Sequence, residues 1–184
     1  MILLVSTCTD SLHELEFVKP IKKIIEKNAP SGKNTIVVKH YEKISNKDIQ
    51  RAKKIIICGT SLQDNQCVKD IKKFEWIKDT NKPILGICSG MHLMGLTFGG
   101  KLKKQTEIGL FYEDFKPFLG LKGKREVYHL HNHFVDFKKL KEFEVFSKGA
   151  IPQAVKHKTK DIFGVLFHPE VRNREVIVEF LSNA

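Results

Sequence analysis

The residues best equipped for chemistry gather in two short stretches. In Gly86-Ile-Cys88-Ser-Gly90 a cysteine has a glycine two residues to either side, the spacing of a nucleophile elbow with Cys in place of Ser. The glycines let the chain turn sharply from strand to helix, which pushes the Cys88 side chain outward. A helix N-terminus behind it favours negative charge, and thiolate is the nucleophilic form of cysteine. In Phe163-Gly-Val-Leu-Phe-His168-Pro-Glu170 an apolar run ends on His and Glu two residues apart, so both side chains can point the same way. Glu170 can hold the His168 ring in the tautomer that accepts the thiol proton, with Pro169 setting the backbone between them. This is a nucleophile, a base and a group that orients the base. Taken singly, Cys88 reads equally as a buried structural thiol, and His-Pro-Glu as a structural strand end. Their pairing is what points to catalysis.

The surrounding sequence must supply elements that hold these groups. Ile84 to Ile87 has the length of a buried strand, and Met91, Leu93, Met94, Leu96 and Phe98 follow as an apolar helix that stops at Gly99-Gly100. From Pro83 to Gly100 the only titratable side chains are those of Cys88 and His92, but five glycines and a proline argue against a membrane span. Upstream, strands are expected over 2–6, 35–39 and 54–58. Helices are expected over 20–28 and 46–52, the second capped by Ser45, with a turn at 30–34. This alternation implies a parallel sheet with helices on both faces. The segment 7–19 reads as a loop that overhangs the site. Downstream, Val68, Ile71, Phe74 and Ile77 suggest a helix over 67–78. Residues 101–105 read as an antiparallel strand and 110–126 as irregular chain carrying Phe111, Tyr112, Phe115 and Phe118. Strands over 143–146, 153–156 and 162–167 and a helix over 171–181 complete the pattern.

Length and composition fit one domain over residues 1–184, with 41% hydrophobic and 29% charged residues. Met1 to Val5 is too short for a signal peptide, and Cys8, Cys58, Cys67 and Cys88 form no C-x-x-C pair, so reduced thiols in a cytoplasm are expected. The net charge of +11 is spread along the chain as lysine pairs without aromatic interleaving. That favours a solvated basic surface, or docking to an acidic partner, over nucleic acid.

Gly86-Ile-Cys88-Ser-Gly90 together with Phe167-His168-Pro-Glu170 resembles the class I glutamine amidotransferases, across nearly the whole chain. Within that family the tail 154–171 is most similar to the glutaminase component of archaeal GMP synthases built from two separate chains. The resemblance implies an α/β, flavodoxin-like open and mostly parallel sheet with helices on both faces, and a triad of Cys88, His168 and Glu170. It implies an oxyanion hole from the Ser89 N–H and that of Thr60 or Gly59, in the loop after the third strand. The implied substrate is L-glutamine, hydrolysed through a cysteine thioester with no metal or organic cofactor. The sequence shows no ATP-binding loop, so the ammonia would pass to a separate ATP-dependent synthetase. Two other readings use the same residues: a γ-glutamyl hydrolase or peptidase, and a non-catalytic or metal-binding homologue.

The chain departs from its relatives at three places. Thr60 stands where they usually carry a second glycine, His92 where they carry Gln four residues after the nucleophile, and Leu166 where they carry Gln two residues before the catalytic His. A titratable His92 in the pocket would make glutamine binding weaker or pH-sensitive; the alternative is a packed helix residue. His129, His131 and His133 alternate along one strand face and could bind zinc. The resemblance instead puts Asn132 and His133 on the wall of the glutamine pocket. No carboxylate or thiolate sits at a familiar ligand spacing, so a pocket wall or simple packing is the expectation there.

Overall fold

The computed structural model describes residues 1–28 and 35–182. The turn expected at 30–34 lies outside the described residues. Nine strands are found among those described: β1 (Ile2–Ser6), β2 (Ile36–His40), β3 (Lys54–Ile57), β4 (Ile84–Ile87), β5 (Leu102–Phe118), β6 (Leu121–Val135), β7 (Phe143–Val145), β8 (Ala154–His157) and β9 (Ile162–Val165). Seven form one sheet in the order β2-β1-β3-β4-β9-β8-β7. The first five of these run parallel, and β8 and β7 close the edge antiparallel. The chain winds one way from β1 to β2 and the other way from β1 through β3 to β4. In such sheets the crevice at the carboxyl ends of the strands is where ligands bind. Thr7, Gly59, Cys88 and His168 all follow strand ends on that edge.

The central strands are near-continuous apolar runs because both faces are covered. Ile2 and Leu4 face one core, with Phe17, Ile21, Ile25, Val176, Ile177 and Phe180. Leu3 and Val5 face the other, with Phe74, Ile77, Leu93, Met94 and Phe137. The helices that cover the sheet include α1 (Glu14–Phe17), α2 (Lys19–Asn28), α3 (Asn46–Arg51), α4 (Gln66–Lys69), α5 (Trp76–Asp79), α6 (Ser89–Thr97) and α7 (Glu175–Ser182). Ser45 caps α3 through a reciprocal capping box with Asp48, as the sequence suggests. Eight of the nine residues of α6 are buried. A helix apolar on all sides belongs in an interior, and α6 is the buried spine of the site.

Four expectations are corrected. The segment 7–19 is a short 3-10 turn capped by Asp10 and then α1, whose Phe17 is buried. The single helix over 67–78 is three pieces: α4, a 3-10 turn at Ile71–Phe74, and α5. Its apolar residues recur every three positions, which matches the three residues per turn of a 3-10 helix rather than 3.6. Residues 110–126 are regular, forming the half nearer the turn of a long antiparallel hairpin of β5 and β6 that makes a sheet of its own. Leu119 and Gly120 turn it with φ of 41° and 81°, the left-handed pair that tight hairpins need. Finally, α7 begins at Glu175 rather than 171, because Asn173 takes a φ of 70°.

Candidate active site

Cys88 sits between β4 and α6 with φ 49° and ψ −105°, a conformation that L residues rarely adopt. Its neighbours make that turn possible. A Cβ on Gly86 would lie 2.4 Å from Met94 Sδ, and one on Gly90 would lie 2.3 Å from the Ile57 carbonyl oxygen. The elbow therefore needs glycine at both places, because α6 passes close to β3 and folds back on β4. The Cys88 N–H donates to the Val165 carbonyl at 2.8 Å, and its thiol donates to the Leu130 carbonyl at 3.6 Å.

His168 follows β9 on the adjacent strand. Its Nδ1 lies 2.7 Å from Glu170 Oε1, and both side chains are about 1% exposed. Burial alone would lower the pKa of the imidazole. The Glu170 and Cys88 charges outweigh it and hold His168 well above its ordinary value. His168 Nε2 is buried without a hydrogen-bond partner, as is Glu170 Oε2. The ring packs at 5.5 Å against Phe17 from α1. Gly59 brings the two halves together: a Cβ there would lie 2.9 Å from His168 Cε1 and 3.4 Å from Cys88 Cβ. Its glycine is needed for this close approach rather than for a left-handed φ, which neither Gly59 nor Thr60 adopts.

The other three cysteines are placed differently. Burial pushes the Cys8, Cys58 and Cys67 thiols up, Cys67 to about 12. All four cysteines are free of disulfides.

A narrow cleft of about 400 Å³, its open mouth included, lies over Cys88, lined among others by Thr60, Ser89, His92, Asn132 and His133. Ser89 opens α6, so its N–H has no partner within the helix. Its hydroxyl is tied to Thr7 Oγ1 at 2.9 Å and donates to the Cys58 carbonyl at 3.1 Å. Thr7 Oγ1 also lies 3.0 Å from the Cys58 carbonyl and 3.3 Å from the Gly59 carbonyl, contacts that compete for its one proton, and the Gly59 carbonyl accepts from the Cys8 thiol at 3.7 Å. Asn132 donates to the Leu62 carbonyl at 3.3 Å, joining β6 to the loop after β3.

Two sequence expectations change here. His92 is buried, and its Nε2–H donates to the His133 carbonyl at 2.9 Å. Burial lowers its pKa to about 3, so it is a neutral donor fixed to the strand opposite and does not titrate near neutrality. Leu166 belongs to the core behind the sheet with Met91 and Met94 and does not line the cleft. Asp64 was missed. It accepts from the Thr9 N–H at 2.6 Å, the Thr9 hydroxyl at 2.7 Å and the Thr60 hydroxyl at 2.8 Å. Burial works against the charge, but these bonds hold the carboxyl below its usual range. An Asp four residues after Thr60 was the available signal, and it looks like any loop carboxylate until the chain folds.

The histidine face is also redrawn. His129 and His131 are wholly buried, whereas His133 is half-buried and serves the cleft through its carbonyl. A carboxylate does reach them: Glu107 on β5, which pairs in register with His131. Burial lowers His129 and His131 to about 4. Burial followed by repulsion from Glu107 pushes Glu113 up to about 7.

Residues 16–184 match the family model described as "Glutamine amidotransferase class-I". Among curated relatives, the A subunit of the glutamine-hydrolyzing GMP synthase of Methanocaldococcus jannaschii is 39% identical over 108 residues, 55% of this chain and 57% of that protein. Its counterpart from Pyrococcus abyssi is 35% identical over 136 residues, 68% of this chain and 69% of that one. The matched stretch thus spans little more than half of the first relative. A Thermoplasma acidophilum crystal structure, described as that of the same GMP synthase component, superposes with a TM-score of 0.80 at 21% identity, over 98% of this chain and 94% of that one. A glutamine amidotransferase from Thermotoga maritima gives 0.70 at 15%, over 99% and 81%. Both likenesses are of fold.

Proposed function

The chain belongs to the class I glutamine amidotransferases, and from that premise we propose that it is the glutaminase component of a two-chain GMP synthase. It hydrolyses L-glutamine and hands the ammonia to a separate ATP-dependent synthetase. The observation that carries the chemistry is the buried His168–Glu170 pair at 2.7 Å beside a cysteine held at φ 49°. The relatives named as GMP synthase subunits support the choice of acceptor.

In this reading the Cys88 proton rests on His168 Nε2, which the Glu170 and thiolate charges favour, and the thiolate sulfur attacks the side-chain amide carbon of glutamine. The carbonyl electrons move onto oxygen, held by the Ser89 and Thr60 N–H groups. The Gly59 carbonyl faces the Cys8 thiol and the Thr7 side chain, and a trans peptide then turns the Thr60 N–H the opposite way. Collapse of this intermediate expels ammonia, which takes the proton back from His168 and leaves a thioester. Water that gives a proton to His168 then attacks the thioester carbon, releasing glutamate and the thiol. Glu170 keeps the ring in the required tautomer throughout. Asn132 and His133 form the wall that receives the substrate's amino-acid end, with His92 bracing that wall. The half-reaction needs no cofactor.

Two measurements test this. The glutamine analogue diazo-oxo-norleucine should label Cys88 and none of Cys8, Cys58 or Cys67 by peptide mapping; labelling that persists in Cys88→Ala refutes the assignment. Glutaminase turnover should be low for the chain alone and rise at least ~10-fold with the cognate synthetase, about 1.4 kcal/mol of coupling. Full turnover by the isolated chain, indifferent to that partner, would instead mark a γ-glutamyl hydrolase.

A further inference from the structure

The β5–β6 hairpin carries a buried cluster that glutamine hydrolysis leaves unused. Glu107 Oε2 lies 2.7 Å from His129 Nδ1 and 3.1 Å from His131 Nε2, and both imidazoles are fully buried. Gln153 Nε2 donates to the same oxygen at 3.2 Å. The approach of His131 is not aligned as a hydrogen bond. Both of its ring nitrogens, His129 Nε2 and Gln153 Oε1 are left without a partner. Buried polar atoms are nearly always satisfied, so several orphans in one place call for a missing group. Changing the tautomers of the two rings does not help, because one carboxylate oxygen cannot serve them all.

We propose that Glu107, His129 and His131 form a binding site for a divalent transition-metal ion, zinc by their donor types, which clamps β5 to β6 beneath the substrate cleft. Two imidazoles and one carboxylate are a known zinc ligand set. Bonds of about 2.0–2.1 Å in a tetrahedron separate the donors by about 3.3–3.4 Å. The observed separations of 2.7 and 3.1 Å therefore need to open by about 0.6–0.7 and 0.2–0.3 Å. If His129 ligates through Nδ1, its Nε2 carries the hydrogen, and Glu113 Oε1, 3.8 Å away, is the carboxylate placed to take it. A carboxylate behind a ligating histidine fixes the ring and raises its basicity. Water or Gln153 Oε1 fills the fourth position. Phe111 stacks on His129 at 4.6 Å and shields the site, while Glu107 and Glu113 are 17% and 16% exposed and leave an entry path. His133 does not join. The same strand presents the Leu130 and His133 carbonyls to Cys88 and His92, so a bound cation would steady the pocket wall while taking no part in bond cleavage.

The test uses the full chain carrying Cys88→Ser, which removes the triad thiol, dialysed against chelator and then titrated with zinc chloride. One zinc per chain should bind, and cobalt(II) should give the strong visible bands of a four-coordinate site. Glu107→Gln and His131→Gln should each weaken binding more than ~100-fold, beyond what losing an outer carboxylate costs. Glu113→Gln should weaken it by about 10–100-fold. In case the buried substitutions unfold the chain, the imidazole ¹⁵N shifts of His129 and His131 in the unsubstituted protein provide a second readout, and both should move on adding zinc. Absence of stoichiometric binding at micromolar free zinc overturns the proposal. So does binding that requires Cys88, binding unchanged by Glu107→Gln in a folded variant, or shifts confined to His168.

Discussion

Two single residues decide how the site responds to pH. His92 looks from sequence like a titrating group in the pocket, but burial, outweighing the hydrogen bond that its Nε2–H donates to the His133 carbonyl, lowers its pKa to about 3. It therefore stays neutral across the range of about pH 5.5 to 8 where an ordinary imidazole titrates. The KM for glutamine of wild type and His92→Gln should follow profiles of the same shape over that range. A step near pH 6.5 present only in wild type would contradict this. His92→Leu strands the buried carbonyl and should cost about 1–3 kcal/mol of stability. His168 has the opposite sign. Its folded pKa is raised above the unfolded value of about 6.5, so the stability it contributes is fully present below 6.5 and is lost as pH rises through the folded value. Glu170→Gln should accordingly cost more at pH 6, about 3–5 kcal/mol for breaking a buried pair, than at pH 9. Urea unfolding at the two values would show it, and equal costs would mean that Glu170 acts through packing alone.

At the scale of elements, the elbow depends on α6 lying almost against β3. A Cβ on Gly90 would come within 2.3 Å of the Ile57 carbonyl oxygen, which is backbone and cannot swing aside. Gly90→Ala should lower stability by about 1–3 kcal/mol, as overpacking does. It should reduce diazo-oxo-norleucine labelling of Cys88 even where the variant remains folded. A fully labelled, fully stable Gly90→Ala would refute this reading of the elbow. The same elbow explains why the candidate triad could be proposed before folding: sharp turns and close packing demand glycines at set spacings, and His168-Pro-Glu170 is local. The parallel core was legible because strands buried on both faces are plain apolar runs. The hairpin was not, because apolar residues occupy both of its faces: Phe111 and Phe115 on one, exposed Ile108, Leu110 and Tyr112 on the other. That erases the two-residue alternation, and Leu119-Gly120 lacks the Asn or Asp that usually announces such a turn. The Glu107 contact was hidden for a related reason. It is a cross-strand neighbour 24 residues from His131 in sequence, and register is invisible until the hairpin is known.

For the whole molecule, the balance of buried titratable groups predicts acid lability. His92, His129 and His131 are depressed to about 3, 4 and 4, so on their account the unfolded chain binds three more protons than the folded one as pH falls below about 6.5; His157, buried and also lowered by burial, acts in the same direction. Groups depressed in this way contribute stability that is full above 6.5 and lost on acidification. Glu113, pushed up to about 7, opposes them by one proton, because its folded form already holds a proton that the unfolded form takes up only near pH 4. His168 adds nothing to the slope well below 6.5, being protonated in both states. From His92, His129, His131 and Glu113 together about two protons net remain, or about 2.7 kcal/mol per pH unit. Going from pH 6.5 to 4.5 then removes about 5 kcal/mol, comparable with the whole stability of a marginal domain. Chelator must be present, since a cation at His129 and His131 would also keep them unprotonated. Urea unfolding in EDTA should therefore show stability falling steadily from pH 6.5 to 4.5, with His92→Gln flattening the slope by about 1.4 kcal/mol per unit. A stability unchanged over that interval would mean that these imidazoles reach water in solution, and that the hairpin packs less tightly on α6 than the structure shows.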